Sequence, residues 1–173
     1  GDIFDACNAV TDMQKVAWEA YGEEGLPIQF NEYCTTWGKP TQKKMLSYLD
    51  SLKDYDIKYL VIDAGWCKEG HEQSSNGEWN VDKNIFPDIK AMNAEIRKAG
   101  KVPGIWFELE VTTNGSPMFE EEYDYMHLKR AGKVVKIKNF RSYWDFRRED
   151  VRDYLREKVI DFLKENDFGY IKT

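Results

Sequence analysis

The sequence predicts an α/β fold: a partial (β/α)8 TIM barrel of about four βα units, preceded by an N-terminal helix. Three observations predict it. Short apolar runs alternate with segments of helical periodicity, in the order strand, helix, strand, helix, strand, helix, strand. The clearest run, "IKYLVIDAGW" (57–66), is continuously apolar from Tyr59 to Ile62 and ends in a polar residue and a glycine, the pattern of a strand buried on both faces. The loops after the second and third strands are long and those after the helices are short, and in a barrel long strand-to-helix loops belong to one face. A doubly wound sheet shares the alternation, but no glycine-rich phosphate loop follows the first strand. A complete barrel typically needs ~250 residues, so the 173 present hold about half of one.

Each element has its own signal. Residues 5–20, "DACNAVTDMQKVAWEA", place Val10, Met13, Ala17 and Trp18 at helical spacing. Residues 1–26 read as a helical lead-in, and the barrel portion spans 27–173. "PIQFNEY" (27–33) is the first strand. Thr41 is the N-cap of a helix whose Met45, Leu46, Leu49 and Leu52 form one apolar stripe. Residues 88–100, "DIKAMNAEIRKAG", put Ile89, Met92 and Ile96 on one face and stop at Gly100. "KVPGIWFELE" (101–110) is the third strand. "REDVRDYLREKVIDFLKEND" reads as one helix with Val151, Tyr154, Leu155, Val159, Phe162 and Leu163 inward, and "GYIKT" begins the fourth strand.

Composition narrows the function. Net charge is −6 and no basic stripe stands out, which argues against a nucleic-acid partner. The densest basic run, "KRAGKVVKIK" (129–138), interleaves apolar residues and reads as a hairpin-like loop with a solvated face. No apolar run approaches the ~20 residues of a membrane span, and "GDIFDACNAV" has neither the basic start nor the apolar stretch of a signal peptide. Cys7, Cys34 and Cys67 are odd in number and widely spaced, which fits a reducing, cytoplasmic compartment better than a disulfide framework. With His71 and His127 as the only histidines, a Ser-His-Asp mechanism or a histidine-rich metal site is disfavoured.

Polar residues gather where the predicted strands end: Asn31 and Glu32 after the first, Asp63 after the second, Glu108 and Glu110 after the third, Lys172 on the fourth. In a parallel barrel these ends converge on one mouth. Carboxylates that accept from hydroxyls, beside the rings of Trp66 and Trp106, suit a carbohydrate. The same acids could hold a divalent cation, with Asp63 and Glu108 as its ligands.

The segments "IKYLVIDAGW", "GEWNVDKNIFPDIKAMNAEIRKAGKVPGIWFELE", "RSYWDFRREDVRDYL" and "GYIKT" resemble glycoside hydrolase family 36, the α-galactosidase family, in the right order and over about residues 27–173. The resemblance implies a (β/α)8 barrel, no cofactor and no metal. It also implies retaining cleavage of terminal α-galactosides through a covalent glycosyl-enzyme. Asp63 matches the first aspartate of the family's "DDGW" motif, which holds sugar hydroxyls, and Trp66 the tryptophan of that motif. Trp106 matches the tryptophan of "WFEPE" that lines the sugar pocket. Arg141, just before "YWDF", matches an arginine that reaches the sugar, and Lys172 the lysine of "KWD". Ala64 stands where the family has a second aspartate, and Leu109 where it has a proline; the first change puts galactose specificity in question. The motif's aspartate, the nucleophile, is expected just after Thr173, and the acid/base residue on a later strand. No catalytic carboxylate is therefore expected within these residues, and the chain alone is expected to be inactive. Open strand edges of a half-barrel lead to a further expectation, a homodimer through those edges.

Overall fold

The computed structural model describes residues 1–13, 27–67 and 76–173. Helix α1 (Ile3–Met13) buries none of its residues: Val10 and Met13 are exposed, while Ala17 and Trp18 of the expected stripe lie outside the described residues. Strand β1 (Gln29–Asn31) follows, then a short helix α2 (Tyr33–Thr36), helix α3 (Gln42–Ser51), strand β2 (Tyr59–Ile62), helix α4 (Ile89–Lys98) and strand β3 (Val102–Trp106). A long excursion carries β4 (Val111–Thr113), β5 (Lys129–Arg130), β6 (Lys133–Val134), β7 (Lys136–Ile137) and β8 (Arg141–Tyr143). Helix α5 (Glu149–Leu155), a π-helical turn over Arg156–Asp161, helix α6 (Phe162–Glu165) and strand β9 (Tyr170–Lys172) complete it.

Strands β1, β2, β3 and β9 form one parallel sheet in that order, as a run of consecutive βα units does. Its register sorts side chains cleanly, because paired residues in parallel strands point the same way. Phe30 pairs with Leu60 and Leu60 in turn with Pro103, while Ile62 pairs with Ile105 and Ile105 with Ile171. These face the helices, where Leu60, Ile62 and Ile105 join Met45, Leu49, Met92 and Ile96 in the core. Tyr59, Val61, Gly104, Trp106, Tyr170, Lys172 and Asn31 take the other face. Gly104 is glycine for a local reason. A Cβ there would come within 2.8 Å of the Tyr170 ring and 3.0 Å of Val61, where the rings of Tyr59 and Tyr170 meet with centroids 4.7 Å apart.

The helix ends follow the sequence signals. Thr41 accepts from the Lys44 N–H and Asp88 from that of Ala91, each an N-cap, and Gly100 takes a left-handed φ of 75° just past α4. The predicted single helix over 148–167 is interrupted by the π turn. Its buried residues Val151, Leu155 and Val159 recur every four positions. That spacing drifts around a helix of about 3.6 residues per turn, and a wider turn holds it on the core.

The excursion after β3 departs most from expectation. Residues read as loop form a three-stranded antiparallel sheet in the order β4-β8-β7 and a β5-β6 hairpin. The hairpin matches the reading of 129–138 as far as Val134, but Lys136 and Ile137 pair with β8; the sheet carries no sequence signal, since its strands are two or three residues long and leave no countable periodicity.

Candidate active site

The end of β2 is the centre of the site. Asp63 is 6% exposed, and both oxygens of its carboxylate accept hydrogen bonds. Oδ2 accepts from the Asn31 side-chain amide at 2.6 Å and from Lys172 Nζ at 2.5 Å; Oδ1 accepts the Ala64 N–H at 2.8 Å. Burial alone would raise its pKa, but the bonds from Lys172 and Asn31, the Ala64 N–H and the lysine's charge outweigh that and hold it below the usual aspartate value. Asp63 is therefore ionised at neutral pH. Trp106 pairs in register with Lys172, so the half-buried indole stands beside the lysine on the same sheet face. Asn31, Asp63, Trp106 and Lys172 thus come from four successive strand ends onto one face.

Behind them lies Glu32, fully buried. Its carboxylate accepts the Asp63 backbone N–H at 2.9 Å and the Thr36 hydroxyl, and burial pushes its pKa up. The polarity of Glu32 placed it at the mouth by sequence; the fold turns it inward.

A second cluster forms where the excursion returns. Glu108 receives Arg141 Nη1 on Oε1 at 2.5 Å and the Asn76 side-chain amide on Oε2 at 2.6 Å. Strand β8, paired with β4, carries Arg141 back to the end of β3. Burial raises the Glu108 pKa, Arg141 opposes it, and Glu110 adds to the rise. Asn76 was missed by sequence reasoning. It docks through backbone bonds to Thr113, across a distance in sequence that gives no local sign.

Trp66 requires a correction. It was expected beside the sugar, but it is 1% exposed and lies in the core. Its ring stacks on Phe162 at 5.4 Å and meets Phe107 edge-on at 5.0 Å, and its Nε1 donates to the Trp106 carbonyl at 2.9 Å. The cause is Gly65, whose φ of 100° turns the chain back toward the helices. A Cβ at Gly65 would fall 2.1 Å from the Gly38 carbonyl oxygen, so only glycine allows that turn. Cys67, one residue on from Trp66, is buried as a free thiol, and Cys34 is exposed.

Metal binding at Asp63 and Glu108 competes with a cation already on each carboxylate, Lys172 and Arg141. Among the described residues, no three His, Cys, Asp or Glu converge as ligands.

Comparison with known proteins bears on the family and the fold. The sequence profile of the melibiase family matches residues 9–173. The chain belongs to the melibiase family. Curated relatives of this melibiase chain include alpha-galactosidase Mel36A of Lactobacillus acidophilus, 26% identical over 144 residues, which cover 81% of the chain and 19% of that protein. Alpha-galactosidase 1 of Pediococcus pentosaceus is also 26% identical, over 163 residues covering 92% and 22%. The chain thus spans about a fifth of the length of these relatives. Among solved structures, the GH36 alpha-galactosidase AgaB of Geobacillus stearothermophilus superposes with a TM-score of 0.76 at 22% identity, over 91% of this chain and 22% of its own. A variant of AgaA from the same organism, solved in complex with stachyose, gives the same score and coverage. The resemblance to glycoside hydrolase family 36 and the partial-barrel fold are both upheld.

Proposed function

We propose that this melibiase chain is the first part of the catalytic barrel of a retaining α-galactosidase, with the barrel beginning at residue 27, and that it binds the non-reducing galactose of an α-galactoside. The observation that carries the reading is the Asp63 carboxylate held ionised by Lys172 and Asn31 beside the half-buried Trp106. An ionised, oriented carboxylate accepts strongly from sugar hydroxyls. Lys172 offers ammonium protons to a hydroxyl oxygen, and the indole gives an apolar face for the sugar ring. Arg141, on the neighbouring Glu108, extends the polar wall. That an AgaA variant was solved with stachyose supports a galactoside as the ligand class. Ala64 leaves no side-chain acceptor where the family has a second carboxylate, so an N-acetylated or otherwise altered sugar competes with galactose as the preferred substrate.

In this reading the two carboxylates of retaining hydrolysis, which need to stand ~5–5.5 Å apart, are supplied by residues beyond these 173. The full-length protein then cleaves nitrophenyl α-galactoside, and the isolated chain, rigorously repurified, does not. Absence of turnover by the full-length protein on α-galactosides, including N-acetylgalactosaminides, would remove the proposal. Turnover by the isolated chain would remove its second half.

The proposal extends to assembly. Strands β1 and β9 are the two edges of the parallel sheet, and open edges recruit other strands. The isolated chain is expected to dimerise through them. Light scattering that finds a monomer of about 20 kDa, the chain's own 20.4 kDa, across a concentration series would dismiss the dimer.

A further inference from the structure

Asn31 and Glu32 are adjacent, yet they hold Asp63 from opposite sides. The Asn31 amide donates to the Asp63 carboxylate, and the Glu32 carboxylate accepts the Asp63 backbone N–H at 2.9 Å. Glu32 occupies the N-cap position of α2, where a carboxylate ordinarily accepts from its own helix. It makes no such bond. Instead one oxygen reaches across to β2 and the other takes the Thr36 hydroxyl one turn later. With no exposed surface, Glu32 does not touch a ligand. A buried carboxylate is costly unless its bonds are well made, and a surface acid at the N-cap would have served α2 at no such cost.

We infer that Glu32 is a positioning residue for the sugar-binding Asp63. By fixing the Asp63 amide, the Glu32–Thr36 pair sets the direction in which the β2 chain leaves the sheet. It thereby sets the angle at which the Asp63 carboxylate meets Lys172 and the substrate. Two observations make this more than a helix contact. Oδ1 of Asp63 is taken by the next amide, that of Ala64, so the carboxylate is tied to the local backbone and turns when the backbone turns. Immediately beyond, Gly65 is packed against the Gly38 carbonyl, which leaves the 63–65 segment little freedom to compensate.

The inference rests on the proposed function, and its test is a double-variant cycle in the full-length protein, read as kcat/KM on nitrophenyl α-galactoside. Glu32→Leu is expected to lower kcat/KM roughly 10- to 100-fold, the size of a charged hydrogen bond. In the Asp63→Ala background the same change should cost under about 3-fold, because a residue that acts through Asp63 has nothing left to position. Glu32→Gln keeps an acceptor for the amide and should restore most of the loss. An equal fold-loss in both backgrounds would overturn the inference and leave Glu32 a structural residue. If Glu32→Leu does not fold, Thr36→Val carries the comparison, with a smaller loss that must again vanish beside Asp63→Ala. If the wild-type protein cleaves no α-galactoside, the proposed function fails on its own. Positioning is then read from the Asp63 amide proton in 15N-aspartate-labelled protein. That resonance should move in Glu32→Leu or Thr36→Val and stay near its place in Glu32→Gln; an unmoved resonance in both former variants overturns the inference.

Discussion

Lys172 donates from Nζ to Oδ2 of Asp63 across 2.5 Å, although 109 residues separate them in the chain. The first and last thirds of the described barrel portion are thus joined at one carboxylate. Parallel order β2-β3-β9 makes this possible, because Asp63 leaves β2 at the level where β3 presents Trp106 and β9 presents Lys172.

Removing the carboxylate tests the site itself. In the full-length protein, Asp63→Ala is expected to lower kcat/KM on an α-galactoside by at least ~10-fold, from loss of a charged hydrogen bond of roughly 1.5–3 kcal/mol. Glu165→Ala, on the exposed end of α6, should leave it unchanged. Equal effects would detach Asp63 from the substrate.

Lys172→Met tests the electrostatics. Asp63 titrates below the ordinary aspartate value, against its burial, through Lys172 and Asn31. Without the lysine, its pKa must rise. For a depressed acid, the stabilising contribution is complete above the unfolded-state value, about 3.9, and is lost as pH falls through the lower folded value. The variant should therefore lose part of its stability at neutral pH and show a weaker further loss on acidification. Chemical denaturation at pH 7 and at pH 3, with the Asp63 carboxyl followed by 13C NMR, checks both the direction of the titration and the stability difference.

The two tryptophans should separate cleanly. Trp66 fills the core against Phe107 and Phe162, so Trp66→Ala should destabilise by about 3–5 kcal/mol. Trp106→Ala, at a half-buried ring on the Lys172 face, should cost less stability and more sugar affinity. Denaturant titration paired with a galactose titration checks this; the reverse pattern would return Trp66 to the binding face.

Gly104→Ala should destabilise by about 1–3 kcal/mol through overpacking, because its Cβ would press on the Tyr170 ring and on Val61. Adding Tyr170→Ala should recover part of that loss relative to Tyr170→Ala alone. Strict additivity in the thermal midpoints would mean that the tyrosine is not what the new methyl meets.

What the sequence by itself determined is local. The helix cap at Thr41, the stop at Gly100, the apolar run of β2 and the spacing of Met92 and Ile96 depend on neighbours within a few residues, and short-range chemistry writes them plainly. The strand-end polar residues were legible for the same reason, since a buried parallel strand advertises its end by the first charge. What only the tertiary structure decided is direction and partnership. Glu32 and Asp63 look alike as strand-end acids, yet one turns inward to a backbone amide and the other faces Lys172. Trp66 carries the motif but faces the helices, because Gly65 turns the chain and Phe107 and Phe162 complete a core around the ring. Asn76 joins Glu108 across 32 positions. Such contacts are set by how β strands stack and how an excursion returns, and a side chain's orientation there follows from the summed packing of distant elements, which no stretch of neighbouring residues encodes.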